Sequence, residues 1–185
     1  MNWFRSAARG DAGGISGQRR SFLRARRTVR LPIRPPWAIS WSRGEDAFAQ
    51  ACTRCDACVT ACPESIVKPG DGGFPEIDLR ISECTFCRAC ADACKAPAFD
   101  LTGAPWSLTV RVTDACLSVQ ATFCRSCGDA CAERAITFPP AQGGVSVPRI
   151  DAATCTGCGA CVSACPVGAV VPTRPSSTSS LPETA

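Results

Sequence analysis

The stretch CTRCDACVTACP, Cys52 to Pro63, decides how the rest of the chain is read. It sets thiols at Cys52, Cys55, Cys58 and Cys62 in the spacing C-x2-C-x2-C-x3-C, with Pro63 directly after the last. Three cysteines three residues apart let one short loop wrap a face of an inorganic cubane, with backbone N–H groups turned toward its sulfides. The fourth is expected to begin a short helix and to reach outward, toward a second cluster. Pro63 has no N–H to donate and turns the chain away.

The pattern recurs. CTFCRACADACK carries Cys84, Cys87, Cys90 and Cys94, followed by Lys95 in place of proline. CTGCGACVSACP carries Cys155, Cys158, Cys161 and Cys165, followed by Pro166. Zinc also favours C-x2-C pairs, but it has no need of a third cysteine at the same spacing and a fourth four residues later. Disulfide frameworks belong to secreted domains and seldom repeat so tight a pattern. The twelve regular cysteines are therefore read as [4Fe-4S] ligands, giving at least three clusters.

A further quartet is irregular. CLSVQATFCRSCGDAC gives Cys116, Cys124, Cys127 and Cys131, or C-x7-C-x2-C-x3-C. In a regular run the first ligand would fall at Ala121, so the loop is lengthened and Cys116 stands in. Four thiols remain, and a fourth cluster is favoured over a degenerate site holding a labile or incomplete one.

The quartets come in two pairs. Cys62 and Cys131 are 69 residues apart, and Cys84 and Cys155 are 71 apart, so a two-motif unit is duplicated. SIVKPGDGGFPEIDL and AITFPPAQGGVSVPRID each read as strand, Gly/Pro turn and strand, and WSLTVRVT as a strand bridging the halves. The expected fold is α+β: two tandem bacterial-ferredoxin-like modules, 45–102 and 106–173, with short hairpins and short helices. A basic, irregular and flexible N-terminal arm, 1–43, precedes them, and a disordered tail, 174–185, follows.

Composition agrees with a core built on metal. Leu, Ile, Val and Phe total 35 of the 185 residues, few for a domain held by apolar packing alone. Residues 1–43 hold ten arginines against Asp11, a net +9, while the remainder carries −5. An arm of that sign suits an acidic protein surface. Nucleic acid is the weaker partner, because no stacking motif or recognition fold accompanies the arginines. The chain has no His, which excludes Cys/His zinc fingers, Rieske centres and histidine-based catalysis. With every cysteine taken as a ligand, the chain reads as a non-enzyme. No apolar run is long enough to span a bilayer.

The arginine pair in QRRSFLRARR, Gln18 to Arg27, invites comparison with a twin-arginine export signal. Such a signal needs an apolar stretch after its charged start. Here Arg24, Arg26, Arg27, Arg30 and Arg34 interrupt every candidate run, and Pro32, Pro35 and Pro36 oppose a helix. The expectation is a cytoplasmic protein, where thiolates bind iron instead of forming disulfides.

RRSFL followed by IRPPWA, together with the regular quartets and the stretched DACLSVQATFCRSCGDAC, resembles the NapF family, ferredoxin-type accessory proteins of the periplasmic nitrate reductase system. The resemblance covers about residues 18–172. It implies a cytoplasmic iron–sulfur protein that contacts the precursor of the nitrate reductase catalytic subunit and assists its maturation before export. The alternative is an electron-transfer polyferredoxin serving an oxidoreductase. Asp56 and Asp129 lie inside quartets and are assigned no chemistry.

Overall fold

Cysteine loops alternate with short elements along the chain, and the loops fix where each element starts. The computed structural model describes residues 32–141 and 144–174. Its helices are α1 (Ser40–Arg43), α2 (Glu45–Ala51), α3 (Ala57–Ala61), α4 (Ala89–Asp92), α5 (Ser126–Asp129) and α6 (Ala160–Ser163). The last four each hold the third cysteine of a quartet and end just before, or at, the fourth. The fourth cysteine thus follows the helix, as its C-cap at Cys62 and one residue past the C-cap at Cys94, Cys131 and Cys165, and does not begin it. At Cys62 the cause is local, since Pro63 biases the preceding residue to the extended conformation that Cys62 adopts, at φ −77° and ψ 112°.

Three two-stranded antiparallel ribbons complete the set. β1 (Val67–Pro69) pairs with β2 (Pro75–Ile77), Val67 facing Ile77. β4 (Ile136–Thr137) pairs with β5 (Arg149–Ile150), and both hairpins lie where the turn residues placed them. β3 (Thr109–Val112) pairs with β6 (Val170–Thr173), Val112 facing Val170. The strand read in WSLTVRVT therefore closes the second half on itself instead of bridging the halves. Its Trp106, Leu108 and Val110 share one buried cluster with Ile66, Val67, Ile77 and Leu79 of the first half.

The first half has a counterpart of that closing ribbon. Ala38 bridges Phe99, Ile39 N–H donates to Ala98 O at 3.0 Å, and Asp100 N–H donates to Trp37 O at 2.8 Å. The chain enters this ribbon through a tight turn. Ala38 N–H donates to Pro35 O at 3.2 Å, with Pro36 and Trp37 at the central positions and Trp37 at φ 60°. That is a type II turn, with proline where its fixed φ helps and a tryptophan where glycine is usual. The Trp37 ring meets Phe86 edge-on at 6.3 Å, and Phe86 meets Trp106 at 5.4 Å.

Arg34 anchors the same segment. Its guanidinium is buried, donates to Glu45 at 2.8 Å and to Pro75 O at 3.1 Å, and lies over the rings of Phe48 and Phe74. Arg174, from the other end, donates to Glu45 at 3.0 Å and to the Pro32 carbonyl, and stacks on Trp41. Residues 32–43, counted by charge with the arm, are thus packed into the body. Residues 1–31 and the tail beyond Arg174 lie outside the described residues.

One buried cluster spans both halves. Ile66, Val67, Ile77 and Leu79 meet Trp106, Leu108, Val110, Val162 and Val170, with Cys58, Cys90, Cys127 and Cys161 among them. At the junction Cys84 N–H donates to Cys158 O at 2.8 Å, and the Trp106 indole donates to Thr156 O at 2.9 Å.

Candidate metal centre

The loop conformation is set residue by residue. In the first quartet Arg54 and Asp56, on either side of Cys55, are left-handed at φ 57°. Phe86 and Arg88 do the same around Cys87, at φ 53° and 67°, and Gly157 and Gly159 around Cys158, at φ 73° and 91°. Left-handed residues alternating with ordinary ones turn successive N–H groups to one side, making a concavity that suits an anion. A sulfide-rich, negatively charged cluster is such a ligand.

Four concavities of similar size lie at these loops. The first is lined by Cys52, Cys55, Cys58 and Cys94. The second is lined by Cys62, Cys84, Cys87 and Cys90. The third is lined by Cys116, Cys124, Cys127 and Cys165, and the fourth by Cys131, Cys155, Cys158 and Cys161. Each takes three cysteines from one quartet and the last from its neighbour. All sixteen thiols are free. Among the described residues no three Cys, Asp or Glu side chains converge closely enough to share one ion. Four thiols around one concavity, no three of them close enough to share an ion, fit a multi-atom inorganic group better than one zinc ion, whose Zn–S bonds are about 2.3 Å.

The sequence is similar to the 4Fe-4S dicluster domain over residues 51–98 and again over 122–169. It is 42% identical over 158 residues to the ferredoxin-type protein NapF of Escherichia coli K12, an alignment covering 84% of this chain and 94% of that one. The chain belongs to the NapF family. The NapF of Haemophilus influenzae is 43% identical over 139 residues, 75% of this chain and 77% of its own. The ferredoxin-type protein NapG of H. influenzae is 31% identical over 192 residues, 88% of this chain and 66% of its own. Membership makes this an iron–sulfur protein with [4Fe-4S] clusters on two dicluster domains.

Within this chain, burial sets the thiol chemistry. It pushes the thiols of Cys90 and Cys161 up to about 12, and those of Cys58, Cys84 and Cys127 up to about 11. Neighbouring cysteines add to the rise, among them Cys158 acting on Cys84 across the junction. Cys55 is shifted the other way, first by the Ala57 N–H and then by the Thr53 hydroxyl. The fourth cysteines have their own donors: Ala135 N–H points to Cys131 Sγ at 3.3 Å, and Ala169 N–H to Cys165 Sγ at 3.1 Å. Those contacts follow a turn in which Arg134 and Gly168 are left-handed. Ser65 takes that conformation after Cys62, but Pro97 occupies the corresponding place after Cys94. The Lys95 departure thus extends through the whole turn.

The third site differs. Arg125, the counterpart of Asp56, has φ −132°, and the loop instead turns on Ala121 at φ 60°. The inserted residues 117–123 are held by Thr122 N–H to Leu117 O at 2.8 Å and by the buried Ser118 hydroxyl to Cys124 O at 2.9 Å. Cys116 falls before the second dicluster match but lines the cavity. Asp56 precedes α3 without a side-chain cap bond, and Asp129 lies in the last turn of α5. Sequence reasoning missed the walls that the N-terminal segment supplies. Pro36 and Trp37 line the second cavity, and Phe48 lines the first.

Proposed function

We propose that the chain holds four [4Fe-4S] clusters and assists maturation of the catalytic subunit of periplasmic nitrate reductase in the cytoplasm, before that subunit is exported. The ligands are Cys52, Cys55, Cys58 and Cys94; Cys62, Cys84, Cys87 and Cys90; Cys116, Cys124, Cys127 and Cys165; and Cys131, Cys155, Cys158 and Cys161. The observation that carries this reading is a ring of four cysteines around each of four similar cavities, in a chain 42% identical to NapF. The bound clusters would supply one-electron chemistry or iron and sulfide for delivery, and the chain itself acts as a binding partner and not as an enzyme.

What this chain contributes is the environment. Burial keeps the third cysteine of each quartet protonated until iron displaces the proton. The left-handed pairs at the first, second and fourth loops direct N–H groups inward. The basic segment 1–31, with RRSFL, is the docking element for the acidic surface of the client.

The test is capture of the unprocessed catalytic subunit from anaerobic, nitrate-grown cytoplasm by tagged full-length protein, beside a chain lacking residues 1–31. Capture that weakens without the segment supports maturation and docking. Absence of precursor from both, with iron content intact, sinks the maturation reading. The backbone contact of Cys84 with Cys158, which brings the second and fourth cavities together across the halves, favours electron carriage as the second reading.

A further inference from the structure

We propose that the four cluster sites form a single file in the order first, second, fourth, third, with the step between halves made where Cys84 meets Cys158. This rests on the reading that the sixteen cysteines hold four clusters, and adds to it a path and two ends.

Three contacts define the file. Cys58 and Cys90, from the first and second cavities, are both buried in the core where α3 packs on α4. Cys127 and Cys161, from the third and fourth, are buried where α5 packs on α6. The remaining link joins the halves. Cys84 lines the second cavity, Cys158 lines the fourth, and the backbone N–H of one donates to the carbonyl of the other at 2.8 Å.

The first and third cavities have no such cross-link. The first is lined by residues 48, 52–58, 75, 94, 98 and 99. The third is lined by residues 116–118, 124, 126, 127, 148, 165–167 and 170. Neither lining includes Cys84 or Cys158, the residues that join the halves, so these two cavities are the ends. The packing at the inner step is close, since Gly159 presses on the Leu79 side chain and leaves no room for a β-carbon.

The file acts as a one-electron relay. A reduced iron–sulfur or flavin protein loses one electron at one end, and an oxidised iron–sulfur centre of a partner gains one at the other. No atom is transferred and no bond forms or breaks. Electron transfer rates fall steeply with distance, so the Cys84–Cys158 contact is the route between halves.

Electron paramagnetic resonance tests the order. The unsubstituted chain should bind about sixteen iron atoms, and a lower count would overturn the four-cluster reading itself. A Cys55→Ser, Cys124→Ser double variant empties both ends and should keep about eight iron atoms. When fully reduced, its two inner centres should give one broadened, split spectrum of interacting spins. Two narrow, superimposed signals with the iron retained would overturn the file. If that variant loses inner iron, Cys52→Ser with Cys116→Ser removes other ligands of the same ends, and the spectrum is read there. The complementary Cys87→Ser, Cys155→Ser variant should show loss of all splitting from the ends. Splitting that persists in it would also overturn the order.

Discussion

The Cα of Gly157 sits against the carbonyl oxygen of Leu108, so close that no β-carbon fits between them. Gly157 is also left-handed, at φ 73°. Two independent costs therefore meet at one residue. Arg54 and Phe86 hold the same loop position with side chains, so glycine here answers to Leu108, at the entry to β3, and not to the cysteine loop.

Gly157→Ala is accordingly expected to destabilise the holoprotein by about 3 kcal/mol, from overpacking added to backbone strain. Iron should be lost first from the fourth site. Gly103→Ala, where a β-carbon meets nothing within 4 Å, should change stability by less than about 0.5 kcal/mol. Thermal unfolding of the two holoproteins under anaerobic conditions decides it, and equal midpoints would refute the packing argument.

Trimming the N-terminus should show a sharp boundary. Removal of residues 1–31 leaves Arg34, the Pro35–Pro36–Trp37 turn and Phe48 in place and should keep the iron content. Removal of 1–43 strips the wall of the second cavity and leaves Glu45 facing Arg174 alone. About half the iron should be lost, from the first two sites. Equal iron in both trimmed proteins would show that the segment has no part in holding clusters.

Acid should favour cluster release. The five buried thiols have values raised to about 11 or 12 against an ordinary 9.0. In the metal-free fold the stabilisation from burying them neutral is complete below pH 9 and is lost as pH climbs from 9 toward 12. Iron reverses the sense, because each bound thiolate must take up a proton to leave. Release therefore gains about four protons per cluster and grows steeper as pH falls. Iron transfer to a chelator, followed from about pH 8 down to about pH 6, should rise at every step. A flat profile would show that proton uptake does not limit release.

The third site should hold the cluster of lowest reduction potential. Hydrogen bonds to cluster sulfur raise the potential. The left-handed pair that turns N–H groups inward at the other three sites is missing around Cys124. In a redox titration, Cys124→Ser should abolish the component that reduces last. Loss of the most easily reduced component instead would contradict the hydrogen-bond argument.

Much of this was legible in the cysteine spacing, because three thiols at i, i+3 and i+6 leave a loop few ways to fold. The hairpins were legible too, through Gly72 and Gly73 and the prolines beside them. The boundary of the basic arm was not. Charge counted Arg34 with the other arginines, yet its partner Glu45 lies eleven residues on, and its aromatic neighbours Phe48 and Phe74 lie further still. The partner of β3 was equally hidden, since Thr109 pairs with Thr173 across the whole second half. Local pattern carries no information about contacts so distant in sequence.

Arg174 donating to the Pro32 carbonyl makes the first and last described residues neighbours. The body is therefore closed like a ring, and the exposed residues 101–104 between its halves are one of two seams. Opened there and joined instead from 174 to 32, the same contacts would assemble with the second half written before the first. These contacts do not require the duplicated units to be encoded in one order, and circular permutants of this chain are a natural scaffold for placing new partners at the junction of the halves.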